Sequence, residues 1–222
     1  LAQVGKARAL AGELDGARLA WKEALELAPG DPVLQNNLMR ASAFAGDVDE
    51  ALAWHARAGF EPDRLAELAC ALLREQADLE GARRLFDQAQ PRYRELSAQK
   101  AFDLAGELAA EGALDRARVL RGCAHLSWAR QHAAEGDPAA AVRSYRQAAA
   151  GLSATTPAGS RVPPVLRYEL AAALALSGQE DQARSELPSG PHRASVLREL
   201  PAWAGEALLP LLSTAPEGET GE

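Results

Sequence analysis

The sequence predicts an all-α fold built from about six antiparallel helix pairs. First, a glycine followed five residues later by an alanine recurs along the whole chain. Second, the glycines are followed by acidic residues or prolines of the kind that begin helices. Third, no long run alternates β-branched or aromatic residues with polar ones, as strands do. Self-similarity of this kind is typical of repeat architectures.

The repeated pattern contains two further positions. A larger residue lies four positions after the alanine anchor, and a small residue lies seven positions after it, on the same helical face. Small residues at that spacing allow two helices to approach closely. The glycine and alanine positions are Gly12/Ala17, Gly46/Ala51, Gly112/Ala117, Gly136/Ala141 and Gly178/Ala183, and Ala77/Ala82 has alanine in place of the glycine. The larger residues are Trp21, His55, Phe86, Arg121, Tyr145 and Leu187.

The segment "AGDVDEALAWHARAGFEPD" shows how one copy is expected to fold. Gly46 suits the left-handed backbone that ends a helix, and Asp47 or Asp49 can cap the next helix. Pro62 then closes the unit. Each copy is therefore predicted to be one helix, a tight turn and a second helix.

On these residues the chain resembles the tetratricopeptide-repeat (TPR) family, whose degenerate repeat of about 34 residues has small residues at helix crossings, an aromatic residue in the second helix and a terminal proline. The alanine anchors are 34, 31, 35, 24 and 42 residues apart. The resemblance extends from Leu1 to about Gly190 and is strongest in the first two copies. It implies a right-handed superhelical solenoid whose first helices line a concave groove.

The spacings of 24 and 42 residues predict a local irregularity over residues 114–164. Residues 114–135 contain no proline, and only Gly122 could break a helix, so they can form one long helix or two short ones. The segment "GLSATTPAGSRVPP", residues 151–164, is predicted to be a polar loop. Such a loop is either a tolerated insertion or a binding element.

These observations divide the chain into three parts. Residues 1–190 are predicted to form the TPR-like array, and residues 191–212 a C-terminal capping helix or pair of helices that covers the end of the solenoid. Residues 213–222, an acidic segment of small residues, are predicted to be disordered. Leu1 falls inside the expected first helix, so we expect the chain to be a fragment of a longer protein.

Composition limits the possible partners and surroundings. A net charge of −7 and a pI near 5.2 argue against nucleic-acid binding. Residues 113–168 are an exception to the acidic composition, because they contain eight arginines and only three acidic residues. No apolar run reaches the roughly 20 residues that span a bilayer, so no membrane insertion is expected. The abundance of arginine over lysine and the lack of isoleucine are typical of a GC-rich bacterial genome. A cytoplasmic location is favoured over a periplasmic one.

No pattern of catalytic residues is found, so the chain is not expected to be an enzyme or to need a cofactor. The two cysteines form no CxxC pair, and the histidines lack the spacing of metal ligands. His125, Trp128 and His132 lie on one helical face and are expected to pack in the core. Cys70 occupies a small-residue crossing position, where we expect a buried and unreactive thiol.

Asn36 and Asn37 are the only asparagines of the chain, and both fall within a predicted helix that asparagine disfavours. In TPR proteins, asparagines of the first helices often hold an extended peptide by its backbone, and the resemblance carries that role to this pair. The alternative is an ordinary exposed helix face. Mapping the repeat along the chain gives the candidate groove residues Asn36, Asn37, Arg40, Phe44, Arg64, Glu67, Arg74, Phe102, Arg130 and Tyr168.

The resemblance therefore implies a non-enzymatic scaffold that binds a protein or peptide in a concave groove. The family's clamp for a C-terminal carboxylate is not reproduced, because Ala2 and Lys6 stand where it needs lysine and asparagine. Two alternatives are a sensor or regulatory segment of a larger bacterial signalling or transcription protein, and an envelope assembly factor. The chain itself is expected to be a monomer or to self-associate weakly.

Overall fold

The computed structural model describes residues 1–156, 159–187 and 200–213 of the chain. These residues contain twelve α-helices, packed mainly as neighbouring pairs, which confirms the all-α class. The chain divides into two compact units, Leu1–Leu96 and Ser97–Glu222.

Unit 1 consists of three helix pairs. Its helices are α1 (Ala2–Leu10), α2 (Leu14–Leu27), α3 (Pro32–Phe44), α4 (Val48–Ala58), α5 (Asp63–Gln76) and α6 (Leu79–Gln88), and a short 3-10 turn follows at Pro91–Tyr93. Each odd-numbered helix packs against the next even-numbered one. In addition, α3 lies beside α5 and α4 lies beside α6, so in the second and third pairs the first helices are neighbours, as are the second helices. Between the first and second pairs, α2 packs against α3.

Unit 2 is less regular. Its helices are α7 (Ala98–Ala110), α8 (Leu114–Ala134), α9 (Pro138–Leu152), α10 (Pro164–Leu176), α11 (Glu180–Glu186) and α12 (Ala202–Ser213). The long helix α8 packs against both α7 and α9. Helix α10 in turn packs against α9, α11 and α12.

The repeated glycines end the first helices with left-handed backbone. Gly12, Gly46, Gly112, Gly136 and Gly178 have φ angles between 76° and 84°, a region that glycine enters at no steric cost. Ala77, which replaces the glycine in one copy, adopts the same left-handed region with φ at 54°. The turn geometry is therefore retained even where the residue is unfavourable for it.

The six alanine anchors all lie in the core, since none of them is more than 4% exposed. The larger residue four positions later is less regular. Trp21, Phe86 and Tyr145 are buried, whereas His55 is half-buried and Arg121 is exposed. In the second copy the neighbouring Trp54, 9% exposed, supplies the buried aromatic ring instead.

Residues 114–134 form one helix, and Gly122 does not break it. Gly122 instead lies at the point where α8 crosses α9. A Cβ atom built on Gly151 would come within 2.6 Å of the Gly122 Cα atom, and one built on Gly122 would meet the side chain of Leu152 at 2.9 Å. The glycines allow the two backbones to touch, which explains how one long helix fits among short ones.

The predicted polar loop contains a short antiparallel hairpin that the sequence does not predict. Strands β1 (Ala154–Thr156) and β2 (Gly159–Arg161) pair with Ala154 opposite Arg161. Three residues per strand are too few to show an alternating pattern.

The C-terminal segment is described in part. Helix α12 packs against α10 and buries Ala204, Leu208 and Leu211. Residues 188–199, which include most of the first half of the predicted capping segment, lie outside the described residues. Residues 214–222 of the predicted disordered tail also lie outside them.

Replacing Gly46 with alanine is expected to destabilise unit 1 by about 1–2 kcal/mol, because a Cβ atom is unfavourable in left-handed backbone. Nothing lies within 4 Å of the added carbon, so the backbone conformation alone sets the cost. Gly30 is equally open but lacks a positive φ angle, and Gly30→Ala is therefore the control. Urea unfolding measures both variants, and equal stabilities would contradict the assigned role of the left-handed turn.

Gly151→Ala is expected to destabilise unit 2 by about 1–3 kcal/mol, because the added methyl group separates α8 from α9. Gly106→Ala, in the exposed middle of α7, is expected to stabilise the same unit by about 0.5–1 kcal/mol, since alanine is the better helix former. Thermal unfolding monitored by circular dichroism measures whether the two substitutions change the stability of unit 2 in opposite directions. A stabilising Gly151→Ala would show that the helices do not meet at this residue.

Candidate functional site

Helix α3 displays the strongest of the predicted groove residues. Pro32 opens the helix, and the carboxylate of Asp31 caps it by accepting hydrogen bonds from the backbone N–H groups of Val33 at 2.8 Å and Leu34 at 3.2 Å. The helix buries one face, which includes Leu34, Leu38, Met39, Ala41 and Ser42. Asn36, Asn37 and Phe44 remain half-buried, and Arg40 is exposed.

The two asparagine amides lack hydrogen-bond partners among the residues that the structure describes. Each amide can donate two hydrogen bonds and accept two. The guanidinium of Arg40 lies over the ring of Phe44, with its Cζ atom 5.7 Å from the ring centroid. The α3 face therefore combines free polar groups, a positive charge and an accessible aromatic ring.

Helix α5, which lies beside α3, carries three further predicted groove residues. The side-chain amide of Gln76 donates to the backbone oxygen of Phe44 at 2.8 Å, which joins the ends of α3 and α5. Arg64 and Glu67 form an exposed ion pair at 3.0 Å, and Arg74 is half-buried. We call the seven predicted residues on these two helices, Asn36, Asn37, Arg40, Phe44, Arg64, Glu67 and Arg74, the α3–α5 surface.

A network of charged groups holds the opposite side of α3. The hydroxyl of Ser42 donates to the Glu50 carboxylate at 2.6 Å, and the Lys22 ammonium lies 2.6 Å from the same carboxylate. Arg18 also contacts Glu50, and it pairs with Asp47 at 3.0 Å. Glu50 therefore connects α2, α3 and α4.

The network changes the ionisation of Glu50. Burial alone would raise the pKa of its carboxyl group, but hydrogen bonds from Lys22, Ser42 and Arg18 outweigh that effect and lower the pKa from 4.5 to about 2. The carboxylate is therefore charged throughout the neutral range, and it helps to fix the helix that carries Asn36, Asn37 and Arg40.

In unit 2, Phe102 belongs to an aromatic cluster. Its ring lies 5.8 Å from that of His125 and 5.6 Å from that of Trp128, and the Cζ atom of Arg121 lies 5.7 Å from the centroid of Phe102. Burial, together with the charge of Arg121, lowers the pKa of His125. The expectation that His125 and Trp128 are core residues is wrong in one respect, because both are half-buried at the surface of α8 rather than enclosed.

The other two predicted residues of unit 2 lie deeper. The Arg130 guanidinium binds the Glu169 carboxylate, with Nε 3.2 Å from both oxygens and Nη2 3.0 Å from Oε1. Tyr168 is 2% exposed and leaves almost no surface for a docked peptide. Of the residues that the repeat mapping selects in unit 2, Arg130 therefore forms an ion pair and Tyr168 is a core residue.

Glu169, the partner of Arg130, is the most deeply buried carboxyl group described, at 1% exposure. Burial raises its pKa, while Arg130 and the Tyr145 hydroxyl act in the opposite direction. Burial and the nearby Glu169 carboxyl group in turn raise the pKa of Tyr145. The Arg130–Glu169 pair fastens α8 to α10.

The described residues contain no group of three or more His, Cys, Asp or Glu side chains that could hold a metal ion. Cys70 and Cys123 are both buried and do not form a disulfide. No helix in the described ranges is sufficiently long and apolar to cross a membrane.

Glu50→Gln is expected to destabilise unit 1 by about 1.5–3 kcal/mol at pH 7, because it removes a charged acceptor from three donors. Since the folded pKa lies below the unfolded one, this stabilisation exists above pH 4.5 and disappears as the pH falls towards 2. The difference between wild type and variant should therefore shrink over that range. Urea unfolding from pH 2.5 to 7 measures it.

The control is Glu23→Gln, an exposed carboxyl group on α2. Its effect on stability should stay within about 0.5 kcal/mol at every pH, as for other surface changes. A Glu50→Gln effect that does not depend on pH would contradict the assigned network.

Comparison with known proteins does not place the chain in a family. No protein-family model matches the sequence, and the search of curated proteins finds no match either. The resemblance to TPR proteins therefore depends on the repeated residues alone.

Proposed function

We propose that this chain is a TPR-like solenoid that binds an extended peptide or a helix of a partner protein through its α3–α5 surface, without catalysis. The observation that carries the proposal is the pair of half-buried amides of Asn36 and Asn37, which lack partners among the described residues. A helix gains nothing from two adjacent asparagines, because this residue disfavours helix interiors.

The chemistry of the surface fits a peptide backbone. An extended peptide offers unpaired N–H and C=O groups, and an asparagine amide can bind both kinds. Phe44 adds an apolar contact, while Arg40 adds a positive charge next to it. The Arg64–Glu67 pair is exposed, so either of its charges can exchange its partner for one on a ligand at little cost.

Helix packing supports the solenoid part of the proposal. In the second and third pairs of unit 1, first helix lies beside first helix and second helix beside second helix, as in stacked repeats. The left-handed glycines provide the same turn in successive copies. A right-handed superhelix with a concave groove is the arrangement that we propose for these pairs.

A second candidate is a sensor or regulatory segment of a larger bacterial protein. The observation that favours it is the departure of unit 2 from the regular repeat, with one helix of 21 residues and a buried ion pair. A flanking DNA-binding or nucleotide-binding domain in the full gene would support this candidate over a free-standing scaffold.

The Asn36→Ala, Asn37→Ala, Arg40→Ala triple variant is expected to bind a protein partner at least tenfold more weakly, since these side chains carry the polar contacts. The partner is first captured from a lysate of a GC-rich bacterial host. Its affinity is then measured by calorimetry for the wild type and the variant. Circular dichroism must show that the variant retains its helicity and melting temperature.

The matched control is a Gln3→Ala, Glu23→Ala, Gln88→Ala variant, which changes three exposed side chains of unit 1 outside the α3–α5 surface. It should bind within twofold of the wild type. If the partner binds the folded Asn36, Asn37 and Arg40 variant as tightly as the wild type, the proposed surface is wrong.

A further inference from the structure

Unit 2 contains a pocket where four helices meet, at the end of α8, the start of α9, the end of α10 and one side of α12. Its volume is about 270 Å³. It is lined by Ala133, Gly136, Pro138, Ala173, Leu176 and Trp203, and we call it the Trp203 pocket. None of these residues belongs to the α3–α5 surface.

The pocket exists because the residues around it are small. Ala133 and Ala173 project only methyl groups, and Gly136 has no side chain because the turn between α8 and α9 needs its φ of 78°. Trp203 forms the remaining wall from α12. The position of α12 is fixed by Arg184, which donates a hydrogen bond to the backbone oxygen of Leu211 at 3.1 Å.

The mouth of the pocket is apolar and open. Leu176 is 53% exposed although it is a large hydrophobic residue, and Trp203 is half-buried. Exposed apolar side chains beside a cavity are typical of ligand-binding sites. The cavity and the exposed leucine that lines its edge therefore both point to an occupant.

The lining selects the chemistry of that occupant. The five side chains of the lining carry no charge, and the indole N–H of Trp203 is their one polar group. A charged ligand would lose its hydration without gaining a partner, so the pocket disfavours ions. A cavity of about 150 Å³ holds benzene, and a neighbouring indole favours stacked or edge-to-face aromatic contacts.

We propose that the Trp203 pocket binds a small neutral aromatic molecule of one or two rings. This site is separate from the proposed peptide surface, and it gives unit 2 a ligand of its own. A ligand in the pocket contacts α8, α9, α10 and α12 at the same time, so it also stabilises the packing of these helices against one another.

The test uses p-cresol as a neutral probe, with benzoate and benzylammonium as charged probes of similar size. The chain has four tryptophans, whose indole N–H signals are resolved by ¹⁵N-labelled NMR, and a Trp203→Phe variant identifies the signal of Trp203. On addition of p-cresol, the chemical shift of the Trp203 signal is expected to change and to reach saturation. The chemical shifts of Trp21 and Trp54 are expected to stay unchanged. Each charged probe should bind at least tenfold more weakly.

Two variants with matched controls locate the site. Ala133→Leu fills the pocket and should weaken p-cresol binding at least tenfold, whereas Ala134→Leu, at the next and exposed position, should not change it. If Ala133→Leu fails to fold, Leu176→Lys is used instead, because it places a charge at the exposed edge of the pocket and should weaken p-cresol binding equally. Its control is Leu209→Lys, which changes an exposed leucine of α12 outside the pocket.

Three outcomes would overturn the proposal. The first is no movement of the Trp203 signal up to the solubility limit of p-cresol. The second is binding of a charged probe as tight as that of p-cresol. The third is unchanged p-cresol binding in the folded Ala133→Leu or Leu176→Lys variant.

Discussion

Close approach between paired helices is the constraint on which the rest of this structure depends. The alanine anchors are almost completely buried, so the second helix of each pair presents little more than backbone to its neighbours. Larger side chains then pack around the crossing, as Trp21 does against Gly5, where an added Cβ atom would meet the indole ring. A helix pair of this kind has a short turn, and a left-handed residue makes that turn possible.

The same constraint explains what could be predicted from the sequence. Glycine and alanine act through the backbone, so their positions identify helix ends and crossings without any knowledge of tertiary contacts, as Gly46 and Ala51 show. Ala77 shows that the turn position is recognisable even without glycine. Larger residues are less predictable, because a neighbour can fill the same space. Trp54 does so in place of His55.

The exposure of the candidate residues was predictable where the repeat is regular. Asn36, Asn37 and Arg40 follow from helix propensity and from counting within one copy, and all three retain exposed surface. Counting fails in unit 2, where α8 continues through the position at which a second helix would begin. Tyr168 lies in the core because its helix, α10, packs against α9, α11 and α12. That Arg130 forms an ion pair with a buried Glu169 follows only from this packing, which the spacing of the repeat does not reveal.

Each unit also contains a carboxyl group that joins helices, and the two are stabilised in opposite ways. Glu50 has three donors around it and a lowered pKa, so its charge is compensated and its network stabilises unit 1 at neutral pH. Glu169 is nearly inaccessible, and burial raises its pKa against the effects of Arg130 and Tyr145. A pair of that kind contributes little net stability, but separating it leaves a buried charge without compensation. It therefore restricts α8 and α10 to one relative position, and two of the residues that line the Trp203 pocket, Ala133 and Ala173, lie one turn beyond the pair on these helices.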